Sequence, residues 1–200
     1  MRKELRFLKN VSWGDVFRVW KSQEGSAPSW REVAREKGWS SWEAWRGNQA
    51  EKFGCSEKEW KLYEILKPNE IIPKFRVGPF KVWQADFQEK NKHTFEDFAR
   101  TATEKLRKNG GVARMPGNFP FESQMIGIFF ERTNEIILFE GHHRAAAVAL
   151  AVHDGKPIDF SALPKIALAS VGVAEEEEMM WKLDEAMKRG TENPNRKKEA

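Results

Sequence analysis

Residues 135–152 read Glu-Ile-Ile-Leu-Phe-Glu-Gly-His-His-Arg and then Ala-Ala-Ala-Val-Ala-Leu-Ala-Val, and no other stretch constrains the fold as tightly. A β-branched apolar run stops at Glu140-Gly141, and an alanine-rich segment of strong helix propensity starts within three residues. The spacing predicts a strand that turns sharply into a helix. Gly141 can adopt backbone angles closed to other residues, and the first amides of a helix have no partner within it. His142, His143 and Arg144 place cationic or hydrogen-bonding side chains where a structural helix favours Asp or Glu. Together these features outline an anion site.

Two hundred residues with 40% apolar content suffice for one good core and a small appended domain. No apolar run approaches the roughly eighteen residues of a membrane span, so a soluble chain is expected. The first residues lack the continuous apolar core and small-residue cleavage site of a secretory signal. The lone Cys55 leaves no internal disulfide and fits a reducing compartment, so a cytoplasmic location is expected. Net charge is +4, yet the signs interleave along the first sixty residues, which reads as a solvated surface more than a nucleic-acid stripe. Asn195, Arg196, Lys197 and Lys198 form a small basic cluster in an expected disordered tail.

The pattern divides the chain into three parts: residues 1–61, a Trp-rich all-helical extension; residues 62–171, an α+β body; and residues 172–200, a helix and basic tail. In the first, Trp13, Val16, Phe17 and Trp20 mark one helix face. Residues 25–28 break that helix, Ser29 is placed to cap a second with Glu32 behind it, and a third starts near Ser41. Val33, Ala34, Gly38 and Trp42 superficially resemble a helix-turn-helix, but Trp42, Glu43, Trp45 and Arg46 are poorly suited to reading bases. A core-forming role, with one or two tryptophans lining a cleft of the body, is the better expectation.

In the body, Ile71-Ile72 predicts a short strand and residues 77–83, with Gly78-Pro79, an irregular edge. A helix over residues 95–108 is capped by Thr94 with Asp97 behind it and ended by Gly110-Gly111. Residues 124–130 and 135–139 predict a hairpin, and residues 166–171 a last strand. Glutamates 175–178 and Lys188-Arg189 complement the dipole of a C-terminal helix. No Walker loop, dinucleotide fingerprint or zinc spacing is present.

Glu140-Gly-His-His-Arg144, followed by small residues, resembles the signature box of the ParB/sulfiredoxin superfamily, which holds nucleotide phosphates at such a turn. The resemblance covers residues 62–171 and implies a ParB/sulfiredoxin-like mixed sheet with helices. Sulfiredoxins place their catalytic cysteine where His142 stands, so sulfinic acid reduction is not implied. ParB proteins favour an acidic residue and then arginines at His142 and His143. The box is most similar to that of the free-serine kinases, Asp-Gly-His-His-Arg, with Glu140 in place of Asp. Those kinases also carry a Leu-x-Pro-x-Glu segment, which Leu66-Lys-Pro-Asn-Glu70 resembles, with Asn69 where His is common.

What the resemblance implies is a nucleotide-binding phosphotransferase acting on a small hydroxyl compound. ADP or ATP with Mg²⁺ would be its cofactors. Gly141, His142, His143 and Arg144 would hold the phosphates, and Glu70, or secondly Glu140, would be catalytic and position the acceptor hydroxyl. Two alternatives stay open: a ParB-like DNA-binding protein or nuclease, and a non-catalytic nucleotide sensor.

Overall fold

The structure, a computed structural model, describes residues 1–120 and 122–195. Its elements in chain order are β1 (Leu5–Val11), α1 (Trp13–Trp20), α2 (Pro28–Glu36), α3 (Trp42–Lys52), β2 (Trp60–Ile65), α4 (Pro68–Ile71) and α5 (Lys81–Gln84). Then follow α6 (Phe95–Thr101), α7 (Thr103–Lys108), α8 (Gly110–Ala113), β3 (Gln124–Phe130), β4 (Glu135–Glu140), α9 (His142–His153), β5 (Lys165–Val171) and α10 (Glu176–Arg189). The class is α+β. Five strands form one mixed sheet in the order β1-β2-β5-β3-β4, with β3 and β5 parallel and the other pairs antiparallel.

Period-two alternation in the central strands explains the layering. Met125, Phe129, Ile136, Leu138, Ile166 and Leu168 join α6 and α9 in one apolar cluster, with Phe75, Phe95, Phe98 and Val148. Their sequence neighbours Ile126, Ile128, Ile137, Phe139, Ala167 and Ala169 join α1, α3 and α10 in the other, with Trp20, Trp42, Trp45, Trp60 and Leu183. All of β3 is buried, so it reads as a continuous apolar run with helices on both faces. Among the described residues no helix is long and apolar enough to cross a membrane.

The first part of the chain is not all-helical. Leu5–Val11 is an edge strand paired with β2, and its residues are exposed or only half-buried. Backbone pairing, the cross-strand Arg6–Glu64 ion pair and the Phe7–Tyr63 ring contact at 5.9 Å hold it in place of a buried apolar face. The division after residue 61 falls inside β2, so extension and body share a sheet.

Other local expectations shift in informative ways. Ile71 and Ile72 are buried, but Pro68 presets a helical turn and the Ile71 N–H donates to the Lys67 carbonyl at 3.0 Å, so α4 and a 3₁₀ turn replace the strand. Pro28 opens α2 with Ala27 as its N-cap, so Ser29 does not cap it. Thr94 and Asp97 form the expected capping box, but the helix breaks at Ala102, next to Thr103, whose hydroxyl donates to the Ala99 carbonyl at 2.5 Å. Gly110 starts α8 instead of ending a helix, because the Asn109 side chain accepts from the Gly111 N–H at 3.0 Å. The hairpin of β3 and β4, the helix α9, the last strand β5 and the helix α10 form as expected. Of the expected basic tail, Arg196, Lys197 and Lys198 lie outside the described residues.

Candidate functional site

Strand β4 delivers Glu140 to a turn at Gly141, whose φ of +101° is left-handed. A Cβ there would also lie 2.6 Å from Met125 Cγ, so sterics require glycine twice over. Helix α9 then begins without a side-chain cap, and among the described residues the amides of His142, His143 and Arg144 have no acceptor. The helix's own bonding starts one residue later, where the Ala145 N–H donates to the Gly141 carbonyl at 2.9 Å.

Two buried ion pairs lie beside this turn. Arg144 donates to Glu140, and both side chains are more than nine-tenths buried. In the second, Arg46 donates through Nη2 and Nε to Glu24 at 2.9 and 3.2 Å and through Nη1 to Gln49 at 2.9 Å, while its guanidinium sits 3.9 Å over the Trp45 ring. The Gln23 amide is satisfied when its oxygen accepts from the Gln124 N–H at 2.9 Å and its nitrogen donates to the Gln124 carbonyl at 3.2 Å. That orientation presents the amide nitrogen to Arg144 and leaves Glu140 as the acceptor the guanidinium holds. Burial raises the Glu140 carboxyl to about 7 against the pull of Arg144, with the Glu24 charge adding to the rise.

Both histidines are held toward the neutral form. His142 Nε2 accepts from the Gly78 N–H at 3.1 Å, which assigns its proton to Nδ1, and its ring lies between Phe80 and Phe95 at 4.8 and 5.6 Å. Burial, reinforced by His143, Arg46 and Arg144, pushes it well below the ordinary value of 6.5. Burial likewise lowers His143, which Arg144 lowers further and Glu24 partly restores. Their part in an anion site is carried by backbone amides, and the expected cationic side chains reduce to Arg144. Gly78 must be glycine for His142 to dock, since a Cβ there would lie 2.0 Å from the Leu138 carbonyl oxygen.

Glu140, Gly141, His142, His143 and Arg144 all line a cavity of about 950 Å³. Its other walls come from distant parts of the chain: Trp20, Glu24, Trp30 and Arg46 from the first fifty residues, Phe80 and Trp83 around α5, and residues 189–192 at the end of α10 and just beyond it. This last segment is docked onto the loop after α2. Trp39 Nε1 donates to the Thr191 carbonyl at 2.9 Å, the Asn193 N–H to the Lys37 carbonyl at 2.9 Å, and Lys37 pairs with Glu192 at 2.8 Å. Five Lys or Arg side chains and three carboxylates line the cavity, an excess that favours an anionic occupant.

Glu70 does not join this group. Its side chain is 64% exposed, pairs with Lys67 at 3.5 Å and does not line the cavity. Its neighbour Asn69 is instead tied to the backbone of Ile158, beyond the C-terminal end of α9. On the third helix, Trp42, Trp45, Arg46 and Gln49 are buried. Burial pushes the Cys55 thiol up to about 12, which removes it as a nucleophile. Among the described residues, no group of three His, Cys, Asp or Glu side chains is placed to hold a metal ion.

Glu24 and Arg46 were not among the site residues expected from sequence. Arg46 follows Trp45 and lies one turn after Trp42, so an arginine embedded in a tryptophan stripe was the available signal. No protein-family model matches the chain, and neither a curated protein nor a solved structure matches it.

Proposed function

We propose that this protein binds a nucleoside di- or triphosphate at the Glu140–Arg144 turn and transfers its terminal phosphoryl group to a small hydroxyl compound. The observation that carries this reading is the uncapped start of α9, with Arg144 beside it, in the wall of a cavity large enough for a nucleotide. The free amides of His142, His143 and Arg144 would hold the phosphates. Arg144 would neutralise charge that builds in the transition state.

Of the two carboxylates considered, Glu140 lines the cavity, so proton handling falls to it. The acceptor oxygen attacks the terminal phosphorus, the bond to the bridging oxygen breaks, and the hydroxyl proton passes to Glu140. The Glu140 carboxyl, which burial raises to about 7 against the pull of Arg144, stands near neutrality, where a general base is most effective. Any Mg²⁺ would come with the nucleotide, held by phosphates and water, and would neutralise charge on the phosphates.

The test is calorimetric titration of ADP, ATP, CTP and GTP with Mg²⁺ into the wild-type chain and Arg144→Ala, with circular dichroism to confirm folding. Binding lost in a folded variant supports the assignment; unchanged affinity overturns it. One observation favours a second reading, a non-catalytic nucleotide sensor: Glu70 is outside the cavity and Glu140 is engaged by Arg144. Nucleotide that binds and is never consumed, whatever acceptor is offered, selects the sensor.

A further inference from the structure

We propose that the cavity selects ligands carrying a planar ring, and that Trp30 of α2 and Trp83 of α5 form the surface on which that ring rests. This rests on the phosphate turn proposed above and names the class of molecule it would take: phosphate esters of a nucleobase-sized aromatic group, with inorganic polyphosphates disfavoured.

Most tryptophans of the first sixty residues are consumed by the core; Trp20, Trp42, Trp45 and Trp60 are fully buried. Trp30 and Trp83 are different. Both are only half-buried, both line the cavity, and they come from different parts of the chain, one from the N-terminal helices and one from the body. Large rings left partly open inside a cavity are the surface a ligand covers.

Their placement relative to the phosphate turn is specific. The Trp83 ring lies 5.0 Å from the His143 ring and the Trp30 ring 6.5 Å, and both meet it edge to face, at 81° and 69°. Neither indole stacks on the imidazole. Trp83 also meets the His142 ring at 5.5 Å, tilted by 38°, so both indoles contact the first turn of α9, whose Arg144 lines the same cavity. Trp30 also has packed neighbours: the Arg46 guanidinium lies 5.3 Å over its ring and the Trp45 ring 6.2 Å away. Trp83 is braced edge-on by Phe98 at 5.6 Å. A pre-placed indole loses little conformational freedom when a base stacks on it, and such stacking tolerates any base because each has a π face.

Volume points the same way. About 950 Å³ far exceeds what a phosphate chain occupies and lies in the range of pockets that enclose whole small molecules.

The experiment compares ATP with inorganic tripolyphosphate, both with Mg²⁺, by calorimetry on the full chain. ATP binding at least about tenfold tighter than tripolyphosphate is expected, as base stacking supplies. In Trp30→Ala and Trp83→Ala the ATP affinity falls toward that of tripolyphosphate while the tripolyphosphate affinity is unchanged; Trp30→Phe, which keeps a ring, restores most of the preference. Equal wild-type affinities overturn the ring surface and leave the phosphate turn standing. Absence of binding by either ligand overturns both. Variants that fold and lose both ligands in proportion, or that lose neither, also overturn it. The wild-type comparison decides even if an alanine variant fails to fold.

Discussion

Glu140 and Arg144 lie four residues apart across the Gly141 turn and pair with each other inside the protein. An internal carboxylate thus occupies the guanidinium that a phosphate would need. Glu140→Gln removes that competitor, so nucleotide should bind several-fold tighter while turnover falls about a hundredfold or more, the scale of lost general-base catalysis. Stability should fall by up to about 3–5 kcal/mol, because Arg144 is left buried without a counter-charge. Titration calorimetry and urea unfolding on the same variant measure both; weaker nucleotide binding would sink the competition.

Glu70 offers the contrast. Exposed and paired only with Lys67, it should tolerate Glu70→Gln with a stability change within about 0.5 kcal/mol and no change in nucleotide affinity or turnover. A hundredfold loss of turnover would restore the catalytic role that the Leu66–Glu70 segment implied from sequence.

The site also sets a pH dependence. Burial lowers His142 and His143 from 6.5, so the stability carried by the neutral rings is full above about pH 6.5 and is lost as pH falls through their folded values. Glu140 works in the opposite sense: raised from 4.5 to about 7, its contribution is full below pH 4.5 and is lost as pH rises through 7. Just below pH 6.5 two depressed histidines oppose one raised carboxyl, so stability should climb with pH there, by at most about 1.4 kcal/mol per unit. Above 6.5 it should level off and decline. A midpoint of thermal unfolding that stays flat from pH 5 to 6.5 would show that the rings are not held neutral.

Gly78→Ala tests the seat of His142. The new methyl meets the Leu138 carbonyl oxygen at 2.0 Å and His142 Nε2 at 2.9 Å, so the loop must leave the strand. A loss of roughly 2–4 kcal/mol is expected, as for other backbone clashes and broken buried hydrogen bonds, together with weakened nucleotide binding. A variant as stable as wild type would mean that the close approach of Gly78 to β4 is not needed.

Removing residues 1–60 should be far more damaging than trimming an appended domain. The cut deletes β1, uncovers the edge of β2 and strips the apolar cluster that contains Ile126, Ile137 and Phe139. The remaining chain should aggregate or show no cooperative unfolding. A soluble, cooperatively melting fragment would show that the body folds on its own.

Much of the Glu140–Arg144 turn was legible because it is local: the apolar run ending at Glu140, the glycine, and the alanines after Arg144 fall within eighteen residues. The Thr94–Asp97 cap was readable for the same reason. Strand β1 was not, since exposed Arg6 and Lys9 dilute its alternation and its stability comes from pairing with a strand more than fifty residues away. The Ile71-Ile72 pair was too short to separate strand from helix. Glu24 and Arg46 reach the cavity wall that Glu140 also lines through tertiary packing, a relation no sequence window contains. Gly78 shows its necessity only once Leu138 and His142 are in place around it.

The docking of residues 191–193 on Lys37, Gly38 and Trp39 has a consequence for synthesis. The cavity has walls from both the first and the last described stretches of the chain, so a chain that stops before residue 189 lacks part of its lining. Ligand can meet a finished cavity only after nearly all of the described chain has been made.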